Sequence, residues 1–190
     1  MVDTSTGLTS RAPADVRAAQ AVRSEPDVPD IIAPGPWIAF GALALGIAFD
    51  QVHRFNALSQ IPAWLRDIVA FAAIAYGGWL IWRANVIFHR ARTAFQPWRP
   101  TRTIAAVGVY ARTRNPMYQG FVLLVLGIAV LFRFDWAVLF MMPAIMLIHY
   151  GVVLREESYL ERRFGDAYRI YLVAVPRYGW PLMVFAQRKP

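Results

Sequence analysis

The sequence predicts an all-α fold, a multi-pass transmembrane helical bundle of about four spans. Of its 190 residues, 57% are hydrophobic and 14% are aromatic, and the mean hydropathy is +0.37. The apolar residues are concentrated in long runs, and basic residues flank these runs. Because a chain in lipid must satisfy its own backbone hydrogen bonds, such runs predict helices.

Four apolar runs are the candidate spans. They cover approximately residues 31–49, 63–82 with an extension toward 88, 118–132, and 136–154. A bilayer core requires roughly 17–25 helical residues, so the third run is slightly short unless its flanks take part. Only Arg133, Phe134 and Asp135 separate the last two runs, which should therefore form a tight antiparallel hairpin. Asp50, Gln51 and His53 close the first run and Arg66-Asp67 begins the second, which we interpret as interfacial polar groups.

The positions of the basic residues predict the orientation. Seventeen of the 20 Lys and Arg residues lie in 1–30, 83–117 and 155–190, and only Arg54, Arg66 and Arg133 lie in the other two loops. The positive-inside rule then places both termini and the long central loop in the cytoplasm. We expect an integral, multi-pass protein of a bacterial inner membrane. The net charge of +8 is attributed to contact with membrane lipids, and no nucleic-acid partner is expected.

The two ends of the chain differ from the apolar body. Residues 1–30 carry five acids, three arginines and several prolines, which predicts a disordered tail before a membrane domain over 31–190. After the fourth run, Leu160, Phe164, Tyr168 and Tyr171 recur at helical spacing. Gly165-Asp166 interrupts them as a C-cap followed by an N-cap, so we expect two short amphipathic helices on the cytoplasmic side.

A first segment able to carry chemistry precedes the third run. It comprises Gly108-Val109-Tyr110 and the stretch from Arg114 to Gly120. Pro116 restricts Asn115 to extended geometry and is well placed to begin a helix, whose free amides could meet a polar or anionic ligand group. The alternative is a basic, tyrosine-containing membrane border with a proline cap.

The second segment is the pair Glu156-Glu157 at the end of the fourth run. Adjacent acids beside lipid are costly, and a helix C-terminus disfavours negative charge, so a cationic ligand would relieve both penalties. Alternatively, the acids pair with Arg112, Arg114 or Arg162 at the membrane surface. The chain has no cysteine and only three histidines, and no metal site is predicted.

The two segments together resemble a known family. The matching features, in order, are Gly108-Val109-Tyr110, the stretch from Arg114 to Gly120, Glu156-Glu157, Phe164-Gly165, Tyr168, Tyr171 and Val175-Pro176-Arg177. This set, over about residues 100–178, is similar to the isoprenylcysteine carboxyl methyltransferase and phospholipid methyltransferase superfamily of integral membrane enzymes. The resemblance implies transfer of a methyl group from S-adenosyl-L-methionine, with S-adenosyl-L-homocysteine as product, to a lipid-like or amphiphilic acceptor at the cytoplasmic face.

By this resemblance, one set of residues would contact the cofactor: Arg102, Thr103, Ile104, Ala105, Tyr110, Asn115, Pro116, Met117, Tyr118, Glu156 and Glu157. A second set, Arg114, Gly120, Tyr168 and Arg177, would be architectural. Many relatives have His in place of Asn115, and Asn cannot titrate, so this position is not proposed as a base. Prenylcysteine enzymes carry an acceptor-binding Arg where this chain has Val152. The acceptor therefore remains open between a phospholipid amine, a prenylated compound and a thiol.

His149 is the candidate catalytic residue. It precedes Glu156 by seven residues, so both can share a helix face, and it could receive a proton from the acceptor. The alternative is a core histidine bonded to a neighbouring helix.

Two alternative functions remain open. A membrane reductase on a related scaffold would bind a nicotinamide cofactor, but paired acids suit a cation better than a pyrophosphate. A noncatalytic membrane subunit or a transporter would have polar residues at mid-span, where this sequence has almost none.

Overall fold

A computed structural model describes residues 28–90 and 107–179, and every regular element in these ranges is a helix. The α-helices are α1 (Gly35–Val52), α2 (Ala63–Arg90), α3 (Pro116–Phe132), α4 (Asp135–Ile148), α5 (Leu154–Phe164) and α6 (Asp166–Ala174). Short 3₁₀ helices cover Leu58–Gln60 and Gly108–Ala111, and a π-helical turn, His149–Val153, joins α4 to α5. The predicted all-α fold is confirmed.

Three segments are long and apolar enough to cross a membrane: Gly35–Val52, Ala63–His89 and Asp135–Phe164. Helix α3 is apolar throughout but has only 17 residues, so a fourth crossing stays a prediction. The last segment extends past the apolar run at 136–154, because the π-helical turn joins α4 directly to α5 and the helix does not end there. The predicted interruption at Gly165, whose φ is +55°, is confirmed between α5 and α6.

The prediction of a disordered tail over 1–30 falls mostly on residues outside the described ranges. Asp30, one of the last three residues of this tail, contacts the segment Asp135–Phe164. Arg155 Nη1 donates to the Asp30 carbonyl at 3.1 Å and lies 3.4 Å from the Asp30 carboxylate. The following segment is also fixed to that helix, since the Ile32 amide donates to the Gly151 carbonyl at 3.2 Å.

Close helix pairs form the bundle through small residues. Helix α2 packs against α3 where Gly77 meets Gly120, and α1 packs against α4 where Gly46 meets Ala137. A Cβ atom on Gly77 would lie 2.7 Å from the Gly120 carbonyl oxygen, so the backbones approach too closely for any side chain. Small residues of this kind allow helices to associate in lipid, where the hydrophobic effect contributes little between them.

The packing defines two ends of the bundle. At one, which we call the Glu157 end, the start of α3 meets α5, α6 and the segment after α6. At the other, the Asp50 end, the end of α1 and the loop that follows it meet the start of α4.

Replacing Gly77 by Ala should weaken the bundle. The added methyl group meets backbone atoms of α3, and overpacking of this kind costs about 1–3 kcal/mol. Gly78→Ala is the matched control, because nothing lies within 4 Å of its new Cβ. Thermal unfolding of both variants in the same detergent measures the difference, and equal melting temperatures would contradict the proposed α2–α3 contact.

Candidate functional site

The carboxylate of Glu157 is the centre of the polar cluster at the Glu157 end. Arg177 donates to it from two nitrogens, with Nη2 at 2.8 Å from Oε2, and Arg114 Nε donates to Oε1 at 3.0 Å. The Glu157 side chain is only 9% exposed and that of Arg114 is equally buried. A buried charge needs such partners, so these two arginines account for the burial of Glu157.

Arg114 also fixes the end of α6. Its Nη1 donates to the carbonyls of Leu172 at 2.6 Å and Val175 at 2.9 Å. Its backbone amide donates to the Pro176 carbonyl at 3.0 Å. One arginine thus satisfies the last carbonyls of a helix that would otherwise lack partners.

Three side chains next to Arg114 hold the segment after α6. Thr113 and Asn115 both donate to the carbonyl of Arg177, at 3.2 and 3.3 Å, and Gln119 donates to the carbonyl of Gly179. Asn115 Nδ2 also lies 3.5 Å from Glu157 Oε1. Asn115 is therefore engaged with the C-terminal segment, and its side chain does not cap α3.

The start of α3 is consequently a helix N-terminus without a side-chain cap. Pro116 occupies the first helical position, as predicted, and both Asn115 and Pro116 are buried. The first amides of a helix have no partner within the helix and carry a partial positive charge. They can bind a polar or anionic ligand group.

Glu156 has a different environment from its neighbour. Its Oε1 accepts a hydrogen bond of 2.7 Å from the Tyr118 hydroxyl. Among the side chains that the structure describes in 28–89 and 107–179, no Arg or His forms an ion pair with Glu156, in contrast to Glu157. Successive residues of a helix point in directions about 100° apart, which explains why the two acids face different partners. Among the described residues, the Glu156 carboxyl group therefore has a hydrogen-bond donor but no basic partner.

Tyrosines surround the two acids. Tyr110 is buried in the 3₁₀ helix before α3, and its ring packs edge-on against Phe88. The backbone carbonyl of Tyr110 accepts a hydrogen bond of 2.7 Å from the Tyr171 hydroxyl. Burial raises the pKa of Tyr110 well above its ordinary value, and the charges of Tyr171 and Glu156 add to this effect. Burial likewise raises the pKa of Tyr168, with Glu157 contributing. These phenols therefore stay neutral at physiological pH.

His149 lies in the π-helical turn and contacts the segment after α6. Its Nδ1 is 2.9 Å from the Tyr178 hydroxyl, and the two rings are 5.8 Å apart. The i→i+5 bonding of a π turn changes the phase of the helix. The seven-residue spacing to Glu156 therefore does not align the two side chains as it would in a regular α-helix. Tyr178, whose pKa burial raises to about 12, is a partner that the sequence did not reveal.

The structure brings most of the expected cofactor residues together. Tyr118 contacts Glu156, and Asn115 Nδ2 lies 3.5 Å from Glu157. Pro116 is buried at the start of α3, and Met117 packs against the cluster that contains Leu80, Ala84 and Tyr110. The stretch Arg102, Thr103, Ile104 and Ala105 lies outside the described residues. The alternative prediction, an acid paired with Arg114, is correct for Glu157 and does not describe Glu156.

The different partners of the two acids predict different effects on stability. Glu157→Gln should lower the free energy of unfolding by about 3 kcal/mol, because it leaves buried Arg114 without its counter-charge. Glu156→Gln should change it by less than about 1 kcal/mol, since the amide oxygen still accepts from Tyr118. Chemical denaturation of both proteins in one detergent provides the measurement; a larger loss in Glu156→Gln would reverse these assignments.

Comparison with known proteins identifies one family. The family model described as phospholipid methyltransferase matches residues 65–167, more than half of the chain. The match begins in α2, well before the motifs from which the resemblance was drawn, and ends at the start of α6. No curated protein and no solved structure matches the chain.

Proposed function

The chain belongs to the phospholipid methyltransferase family, a family of membrane methyltransferases, and we propose that it transfers the methyl group of S-adenosyl-L-methionine to a lipid-like acceptor. The observation that carries this proposal is the carboxylate of Glu156. It is bonded to a neutral phenol, and no cation described in the structure balances it. A ligand with a sulfonium or an ammonium group supplies the missing positive charge.

The neighbouring groups fit the rest of such a ligand. The uncapped amides at the start of α3 suit its carboxylate or ribose oxygens, and the buried Tyr110 offers an aromatic wall. Glu157 is saturated by two arginines, so we assign it the task of holding this frame in place and not direct contact with the cofactor. The resemblance implies that both acids bind the cofactor, and we propose this role for Glu156 alone.

When bound, S-adenosyl-L-methionine supplies a methyl group on a positively charged sulfur, which is already an activated leaving group. The chain then has to align the acceptor with that methyl group and exclude water. Helix α6 and the segment after it, tied down by Arg114 and Asn115, supply the cover for this task. We place this end of the bundle in the cytoplasm, as the basic residues predict.

We propose that the acceptor reaches the site from the bilayer. The family's name points to a phospholipid, and an amine headgroup is the acceptor that we favour. Val152, at the position where prenylcysteine enzymes carry an arginine, is fully buried within the π turn and cannot hold an acceptor carboxylate.

Cofactor binding should depend on Glu156 in a charge-specific way. Glu156→Gln should weaken the binding of S-adenosyl-L-methionine about 30-fold in Kd. This factor is equivalent to roughly 2 kcal/mol for a lost buried charge contact. The same substitution should weaken the binding of S-adenosyl-L-homocysteine, which lacks the sulfonium charge, by less than about threefold if the carboxylate faces the sulfur. Isothermal titration calorimetry on detergent-purified protein measures both affinities.

Glu161→Gln is the matched control, because this exposed acid pairs with Arg169 on the surface. Unchanged affinity for the cofactor in Glu156→Gln would remove the proposed role. Saturable binding of NADPH in place of S-adenosyl-L-methionine would favour the membrane reductase, and no binding of either would favour a noncatalytic subunit.

His149 is retained as the candidate proton acceptor. This role requires Nδ1–H to donate to the Tyr178 oxygen, which leaves Nε2 free. His149→Ala should then lower kcat about 100-fold or more, whereas Tyr178→Phe, which loses only the orienting bond, should lower kcat far less.

The assay follows labelled methyl groups from S-adenosyl-L-methionine into extracted membrane lipids, which also identifies the acceptor. Normal turnover by His149→Ala would leave this residue a structural partner of Tyr178.

A further inference from the structure

A second polar cleft lies at the Asp50 end of the bundle, away from Glu156. Its volume is about 220 Å³, and its walls come from the end of α1, the loop after it, and the corner between α3 and α4. It contains two acids, Asp50 and Asp135, and two arginines, Arg54 and Arg133. The cleft thus brings two acids and two bases together at one end of a bundle of apolar helices.

The acids of the cleft are buried and incompletely satisfied. Asp50 is 7% exposed and Asp135 is 6% exposed. The Trp136 amide donates to the Asp50 carboxylate and the Leu58 amide donates to Asp135 Oδ1 at 2.8 Å, so both acids help to fix the start of α4. Even so, Oδ2 of Asp50 has no hydrogen-bond partner among the described residues. A buried carboxylate oxygen without a partner is unfavourable, and a cationic ligand group would compensate it.

The arginines of the cleft do not neutralise these acids by direct contact. Within residues 28–90 and 107–179, neither Arg54 nor Arg133 forms an ion pair. Arg133 occupies the left-handed corner between α3 and α4, with φ +61°, and both guanidinium groups are exposed. The cleft therefore offers a negative wall and a positive rim at the same time, which is the complement of a zwitterion.

The position of the cleft indicates the source of that zwitterion. It lies where the candidate membrane spans α1 and α4 reach one surface of the bundle, and the exposed Phe132 ring forms part of its wall. We propose that the cleft binds the headgroup of a zwitterionic phospholipid, with its ammonium at Asp50 and its phosphate at Arg54 and Arg133. The acyl chains then lie along the apolar outer surface beside Phe132. This site is separate from the methyl-transfer site, which lies at the other end.

Melting temperatures of the purified protein in detergent test the proposal. Added dihexanoylphosphatidylethanolamine should raise the melting temperature saturably, by roughly 3–5 °C. The rise should disappear in Asp50→Asn and persist in Asp67→Asn, which removes the same charge from an acid paired with Arg66 outside the cleft. Dihexanoylphosphatidylglycerol, which has the phosphate without the ammonium, should raise the temperature much less.

Two results would overturn the proposal, and one would extend it to a free headgroup. An equal rise with phosphatidylglycerol, or a rise that survives in Asp50→Asn, overturns the proposal; the second result is what binding at the methyl-acceptor site alone would produce. A rise with O-phosphoethanolamine supports the site and shows that a free headgroup suffices. If Asp50→Asn does not fold, Arg54→Gln, at an exposed position, takes its place in the test. A midpoint of the lipid titration equal to that of the unsubstituted protein would then overturn the proposal. S-adenosyl-L-methionine binding should be unchanged in both variants, so failure here is distinguishable from failure of the proposed function.

Discussion

The salt bridges of Glu157 connect three parts of the chain that are distant in sequence. Arg114 precedes α3, Glu157 lies in α5, and Arg177 follows α6. Because the carboxylate is buried, it requires both partners, and Arg114 in turn fixes the carbonyls at the end of α6. The start of α3, α5 and the segment after α6 are therefore held together through this one carboxylate.

This arrangement explains why two adjacent acids are present. If only Glu157 existed, its arginines would balance its charge, and the Tyr118 hydroxyl would have no carboxylate beside it. Glu156, one residue earlier, accepts from that hydroxyl and has no basic partner among the described residues. Adjacent positions on one helix therefore separate the group that maintains the frame from the group that can meet a cation, and the rigid helix fixes the geometry between them.

Much of this organisation could be predicted from local sequence patterns. The apolar runs predicted the helices, Pro116 predicted the start of α3, and Gly165-Asp166 predicted the break before α6, because each signal acts over a few residues. The contacts of Glu157 with Arg177 and of His149 with Tyr178 could not be predicted, since they depend on how α6 returns across the bundle. The buried Asp50 also resembled an ordinary interfacial acid, because burial is set by the tertiary packing of the loop after α1.

The π-helical turn at His149–Val153 has a consequence for how this gene product can change. Such a turn accommodates one residue more than a regular helix of the same rise. Deleting a residue there would restore regular winding and leave the orientation of α5 unchanged, whereas deleting a residue from the regular helix on either side would rotate everything after it by about 100° and carry both acids away from α3. A loss of one residue should therefore be tolerated within these five positions and excluded from the regular turns that flank them.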